Sequence, residues 1–204
     1  QIALLLGRLW AGDGHLGHRP RRAVSAYYAT SSEKLAKQVQ HLLLRLGVVS
    51  RVRQLTFKYK EGRIGYQVHI MGGEQLKNFA NVLLPNLVRT EQQEVCRWIL
   101  ADGPDIDKTS RDTIPVTVKE LVRFEKASTG ITWGQVTRDS GVAESEFHPV
   151  HTATKRGYRR NVIGRLAEYF DIDTLRVHAE SDVYWDVIVS IEYTGEKQAY
   201  DLTI

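Results

Sequence analysis

The chain reads as an α+β protein: helices and strand pairs alternate over its first half, a helical region follows, and a short β segment closes it. Three observations predict this. Before residue 90, apolar spacing switches between helical and alternating patterns in the order helix, strand, strand, helix, strand, strand, helix. Residues 104–114 are polar and Asp-rich, as a linker is. Beyond them helical spacing dominates until alternation returns after residue 181. The expected divisions are residues 1–103, 104–180 and 181–204.

The elements follow in order. Ile2 to Gly12 has the pattern of a helix almost without polar residues. Such a helix has to be buried, and a second copy of itself is one surface that could cover it. Gly12-Asp13-Gly14 ends it in a tight turn. Arg19, Arg21 and Arg22 fall in the loop that follows, and residues 23–30 are strand-like. Ser31 or Ser32 can cap the next helix, which carries Leu35, Val39, Leu42, Leu43 and Leu46 on one face and stops at Gly47. Residues 51–60 and 63–71 form a hairpin around Glu61-Gly62. Ile64, Tyr66, Val68 and Ile70 make its core side. A polar face is expected to collect Gln54, Thr56, Lys58, Lys60, Arg63, Gln67 and His69. Helices are expected at 74–84, stopped near Pro85, and at 91–101. After the linker come helices at 116–128, 133–140, a short piece from Ala143, and 158–170. Strands at 183–191 and 198–204 turn at Thr194-Gly195.

Composition narrows the function. Of 204 residues, 42% are hydrophobic and 25% charged, an ordinary globular balance. No apolar run is long enough for a membrane span, and the N-terminal apolar stretch lacks the basic lead-in of a signal peptide. The single cysteine, Cys96, fits a reducing, cytoplasmic setting. The net charge of +4 is uneven: through residue 110 there are 16 Lys/Arg against 9 Asp/Glu, and beyond it acids dominate. A basic first half points to a polyanion. The histidines are too scattered for a zinc site, and neither a Ser/His/Asp triad nor a phosphate-binding glycine loop is present.

The stretch Leu6-Gly7-Arg8-Leu9-Trp10-Ala11-Gly12-Asp13-Gly14 resembles the LAGLIDADG signature of homing endonucleases. Small residues (Gly7, Ala11, Gly12) stand where two helices would meet, and an acid stands just past the helix end. An acid there opposes the helix dipole and is a poor choice for stability, which favours a functional role. The resemblance implies a LAGLIDADG endonuclease fold with Asp13 as catalytic acid and metal ligand, the Gly12 carbonyl beside it, and Mg2+ (or Mn2+) as cofactor. It implies double-stranded DNA as partner, gripped by Arg19, Arg21, Arg22, Gln54, Lys58, Lys60, Arg63, Gln67 and His69. Arg89 resembles the basic residue that family members place beside the scissile phosphate. Val95 to Gly103 ends in Ala-Asp-Gly, with Asp102 lying 89 positions after Asp13. Asp102 is either a second catalytic acid or a chance loop acid, since Arg97 and Trp98 are bulky and no further strand-strand-helix set follows. In the second case cutting both strands needs a homodimer.

Two further resemblances bear on the rest. Residues 121–175 look like a helix-turn-helix region of repressor type, with a recognition helix starting near Ala143. Glu144 and Glu146 are poor company for phosphate there, and Arg156, Arg159 and Arg160 are better contacts. Residues 182–204 are similar to a conserved block of inteins, especially those of bacterial replicative helicases. Together these imply an intein-borne, metal-dependent, site-specific endonuclease. The alternative is a DNA-binding but catalytically decayed insertion that supports protein splicing.

Overall fold

The computed structural model describes residues 1–18, 24–57, 62–103, 112–147, 155, 157–186, 188 and 190–198. Arg19, Arg21, Arg22, Lys58, Lys60, Arg156 and all but the first residue of the strand expected at 198–204 lie outside them. The chain divides into two compact units, Gln1–Arg111 and Asp112–Ile204.

In the first unit the order is α1 (Ile2–Asp13), β1 (Gly14–Gly17), β2 (Ser25–Thr30), α2 (Glu33–Leu44), β3 (Ser50–Phe57), β4 (Arg63–Ile70), α3 (Gly73–Leu83), a 3-10 turn (Leu84–Asn86) and α4 (Thr90–Asp102). The predicted helix–strand–strand alternation is therefore present. The strands form one antiparallel sheet in the order β1-β2-β4-β3. Its inner face carries Leu16, Ala26, Tyr28, Val68 and Ile70, which join Leu6, Trp10, Val39, Leu43, Phe79 and Leu83 of the helices in a single core. Local chemistry sets the boundaries. Ser32 Oγ accepts the Leu35 N–H at 3.2 Å and so caps α2. Gly47, at φ +73°, lets the chain turn after it. Pro85 lacks an N–H and converts the end of α3 into a 3-10 turn.

Trp10 is fully buried, 4.9 Å from the Phe79 ring and 5.9 Å from that of Tyr28. It anchors α1 to the sheet. Gly7 faces the same way: a Cβ there would sit 2.3 Å from the Asn86 carbonyl oxygen. Its smallness thus serves a contact within the chain. The opposite side of α1 carries Leu4, Leu5, Arg8 and Gly12, all exposed. Leu5 and Leu9 continue into an open apolar groove of about 840 Å³ that also borders Leu35, Val39 and Leu42 of α2.

In the second unit β5 (Thr113–Pro115) pairs with β6 (Gly157–Arg159), and α5 (Val118–Thr129), α6 (Trp133–Ser140), α7 (Arg160–Phe170) and α8 (Asp173–Glu180) surround Ile114, Val122, Val136, Tyr158, Ile163 and Leu166. The ribbon and α8 have no counterpart in the expected order. Thr132 and Gln135 form a capping box for α6, and Gly141 closes it in the left-handed region. The helix expected from Ala143 is replaced, as far as Phe147, by one 3-10 turn at Glu144–Glu146. Phe147 explains this. Its ring stacks between Trp133 (5.5 Å) and Tyr158 (4.8 Å), which pulls the segment into the core. The described residues of 183–191 also do not form the strand expected there. Among the described residues of 181–198 there is no strand, and Ile188, Ile191 and Tyr193 are 77%, 88% and 91% exposed. A two-stranded ribbon without a sheet or helix to cover it is at best marginal in water.

Candidate nucleic-acid interface and acidic turn

Asp13 is the last residue of α1 and is exposed. Three backbone carbonyls surround it in sequence, and each is engaged from the start of α4. Arg89 Nη2 donates to the Gly12 oxygen at 3.3 Å, and Gln92 Nε2 donates to the Trp10 and Gly14 oxygens at 3.1 Å each. Residues separated by about eighty positions thus form one cluster. The negative charge of Asp13 is felt by Tyr28, whose phenol is raised first by burial and then by that carboxylate.

Asp102 lies elsewhere. It ends α4, ten residues beyond Gln92, which at the usual rise is about 15 Å along the helix axis from the contact with α1. The bulky Trp98 has a place of its own, stacked on His18 with ring centroids 3.6 Å apart. The structure therefore brings Asp13, Gly12 and Arg89 together and leaves Asp102 apart. Among the described residues no group of three or more His, Cys, Asp or Glu side chains could hold a metal ion. The donor set of one chain at this turn is one carboxylate and one carbonyl. That fits a hard, oxygen-seeking divalent cation only if phosphate oxygens or a second carboxylate complete the shell. Cys96 is no nucleophile, because burial pushes its thiol up to about 12.

The outer sheet face follows from the register. Phe57 pairs with Arg63, Arg53 with Gln67 and Arg51 with His69; Tyr27 pairs with His69, and His15 with Tyr27. Directly paired residues share a face. The outer face therefore carries His15, Tyr27, Arg51, Arg53, Arg63, Gln67 and His69, and its described strand positions include no acid. His15, Tyr27 and His69 form an aromatic row across three strands, at 4.9 and 5.2 Å. His69 Nε2 and Gln67 Oε1 are hydrogen-bonded at 2.8 Å. Burial, and then the charge of Arg53, hold His69 below the ordinary histidine range. Gln54 and Thr56 pair with Tyr66 and Ile64, so they lie on the other face. The expected polar face is corrected here: Arg63, Gln67 and His69 stand together, Gln54 does not join them, and Arg51, Arg53, His15 and Tyr27 do. In the second unit, Arg160 is consumed internally by Asp112, the carbonyls of His178, Ala179 and Val183, and Ser181. Arg159 is paired with Glu146 at 3.4 Å, and Lys155 pairs with the same carboxylate.

Comparison with known proteins settles the first unit. Residues 1–83 match the family model described as LAGLIDADG-like domain. Residues 1–83 form a LAGLIDADG-like domain. The similarity of the chain to whole proteins runs past this domain. It is 38% identical to the replicative DNA helicase DnaB of Rhodothermus marinus over all of this chain and 21% of that protein. It is 34% identical to DnaB of Synechocystis sp. over all of this chain and 23% of the relative. With a DNA gyrase subunit of Mycobacterium kansasii it shares 25% identity over 98% of this chain and 33% of that protein. The chain thus spans about a fifth to a third of the length of these relatives. The LAGLIDADG-like domain contains Asp13 and the whole outer sheet face, whereas Arg89 and Gln92 lie just beyond its matched end. No helix among the described residues is long and apolar enough to cross a membrane.

Proposed function

We propose that the chain is the homing endonuclease region of an intein of the kind inserted in replicative helicases, and that it makes double-strand breaks at a long DNA site as a homodimer with Mg2+ (or Mn2+). The observation that carries this reading is the outer sheet face. It is basic and hydrogen-bonding, lacks acids at its described strand positions, and belongs to the same domain as the exposed Asp13 turn. Arginine and glutamine on a twisted sheet suit guanine and adenine edges and phosphates in the major groove. One segment shared by a helicase and a gyrase, and making up a fifth to a third of each matching protein, is what an insert would look like in two hosts.

Asp13 and the Gly12 carbonyl would hold the cation, the scissile phosphate completing its shell. When bound, it would supply positive charge for the attacking and leaving oxygens. The protein residues do the rest. The sheet face fixes the duplex, Arg89 places a permanent cation next to the acidic turn, and the exposed side of α1 (Leu4, Leu5, Arg8, Gly12) meets its copy so that two Asp13 carboxylates serve two strands. Asp102, at the far end of α4, is not needed for this. Arg19, Arg21, Arg22, Lys58 and Lys60, close in sequence to these strands, would add positive charge for phosphate.

A second reading, a DNA-binding insertion that no longer cuts, rests on the single carboxylate that one chain supplies at the turn. Cleavage of a DNA library with Mg2+, wild type beside Asp13→Asn, separates the two. Cutting by the wild type that Asp13→Asn abolishes, with DNA binding retained, is the expected result. Tight binding without cutting by the wild type would remove the enzyme assignment.

A further inference from the structure

The turn that carries Asp13 is braced from outside its own helix. A helix leaves its last carbonyls without intrahelical donors, and here the Gln92 amide bridges two of them. Its Nε2 donates at 3.1 Å to both the Trp10 and the Gly14 oxygens, which bracket Asp13. The Gly14 N–H also closes on the Trp10 oxygen, so the bridge and the backbone turn share an acceptor. Gln92 is 5% exposed, and its Oε1 is buried without a hydrogen-bond partner among the described residues. A buried, half-satisfied amide costs stability that an apolar side chain of the same shape would avoid. The core around α1 has other anchors, with Trp10 held between Tyr28 and Phe79. Glutamine at this position is therefore best explained by what its amide nitrogen holds.

We propose that Gln92 is a positioning residue for Asp13: by bridging the carbonyls on either side it fixes the backbone from which the carboxylate projects. The helix whose end resembles a second signature motif then serves the first motif through its beginning. This rests on the nuclease reading, and the test separates the two.

The 204-residue chain is compared as wild type and as Gln92→Met, which keeps length and apolar volume but has no donor. In single-turnover cleavage with saturating DNA, the variant is expected to cut roughly ten to a hundred times more slowly and to need more Mn2+ for half-maximal rate. Its DNA affinity stays within about twofold, because the side chain is buried and is not itself offered to DNA. In the free protein, hydrogen exchange at the Gly14 amide is expected to accelerate, while amides of β4 do not change. A wild-type rate and Mn2+ midpoint in Gln92→Met, or a rate loss no larger than the loss of folded protein, would overturn the proposal. If the wild type does not cut at all, the nuclease reading falls, and the exchange experiment decides alone. Unchanged exchange at Gly14 overturns the positioning role, and faster exchange there upholds it.

Discussion

His69 sits at the centre of the outer face, between Tyr27 and Arg51 on the neighbouring strands, and its depressed pKa has a consequence for stability. Unfolded, it takes up its proton near pH 6.5; folded, burial and Arg53 hold it lower. Below about pH 6.5 the unfolded state therefore binds more protons, and stability falls as pH falls, levelling off once the pH is below the folded value. Thermal melts between pH 8 and 5 should show a steeper fall in Tm for the wild type than for His69→Gln. Equal slopes would mean that His69 contributes nothing. At this scale the sequence was uneven in what it disclosed. Asp13 was legible because an acid at a helix end needs a reason. Gln92 was not, since its role comes from a contact across 82 positions, and no local pattern records that. Gly7 was legible as a small residue, but the neighbour it accommodates, Asn86, was not.

At the scale of elements, the sheet shows where alternation runs out. Position parity within one strand is readable, but which parity of β3 faces which parity of β4 depends on register, and a one-residue slip reverses the answer. β3 is an edge strand, and its two sides, Arg51-Arg53-Leu55 and Val52-Gln54-Thr56, each mix polar with apolar residues. Its pattern alone could not choose the face. The register makes a prediction that distinguishes them. Arg53→Ala should weaken DNA binding and lower the salt slope of log affinity by about one, whereas Gln54→Ala should leave affinity within about twofold. Fluorescence anisotropy across a salt series would measure both, and an equal effect of the two substitutions would contradict this face. The cap of α2 is legible in Ser31 and Ser32 because capping is local chemistry. As far as Phe147 the expected recognition helix gives way to a 3-10 turn, because that residue is claimed by a tertiary stack, which outweighs helical propensity.

At the scale of the molecule, the proposed cutting of both strands makes a second copy necessary, because one chain supplies one carboxylate at the turn. Leu5 is 50% exposed on the side of α1 facing away from its own core, so Leu5→Glu should fold yet fail to pair. Native mass spectrometry of the DNA complex should find two chains per duplex for the wild type and fewer for the variant, with cleavage lost. Two chains persisting in Leu5→Glu would place the contact elsewhere. The boundary between the two units falls within the Asp-rich stretch, while the lack of a strand among the described residues of 181–198 was not legible, because alternation predicts a strand only where another strand receives it. The union of Arg89 and Gln92 with the end of α1 also bears on how this domain can be engineered. The recognisable family segment stops at residue 83, and a gene cut there would encode a complete sheet with every described outer-face residue, yet leave the Trp10, Gly12 and Gly14 carbonyls without their side-chain donors. Minimal versions, grafts and fusions must carry the chain through α4, or they will inherit the sheet without the side chains that brace the acidic turn.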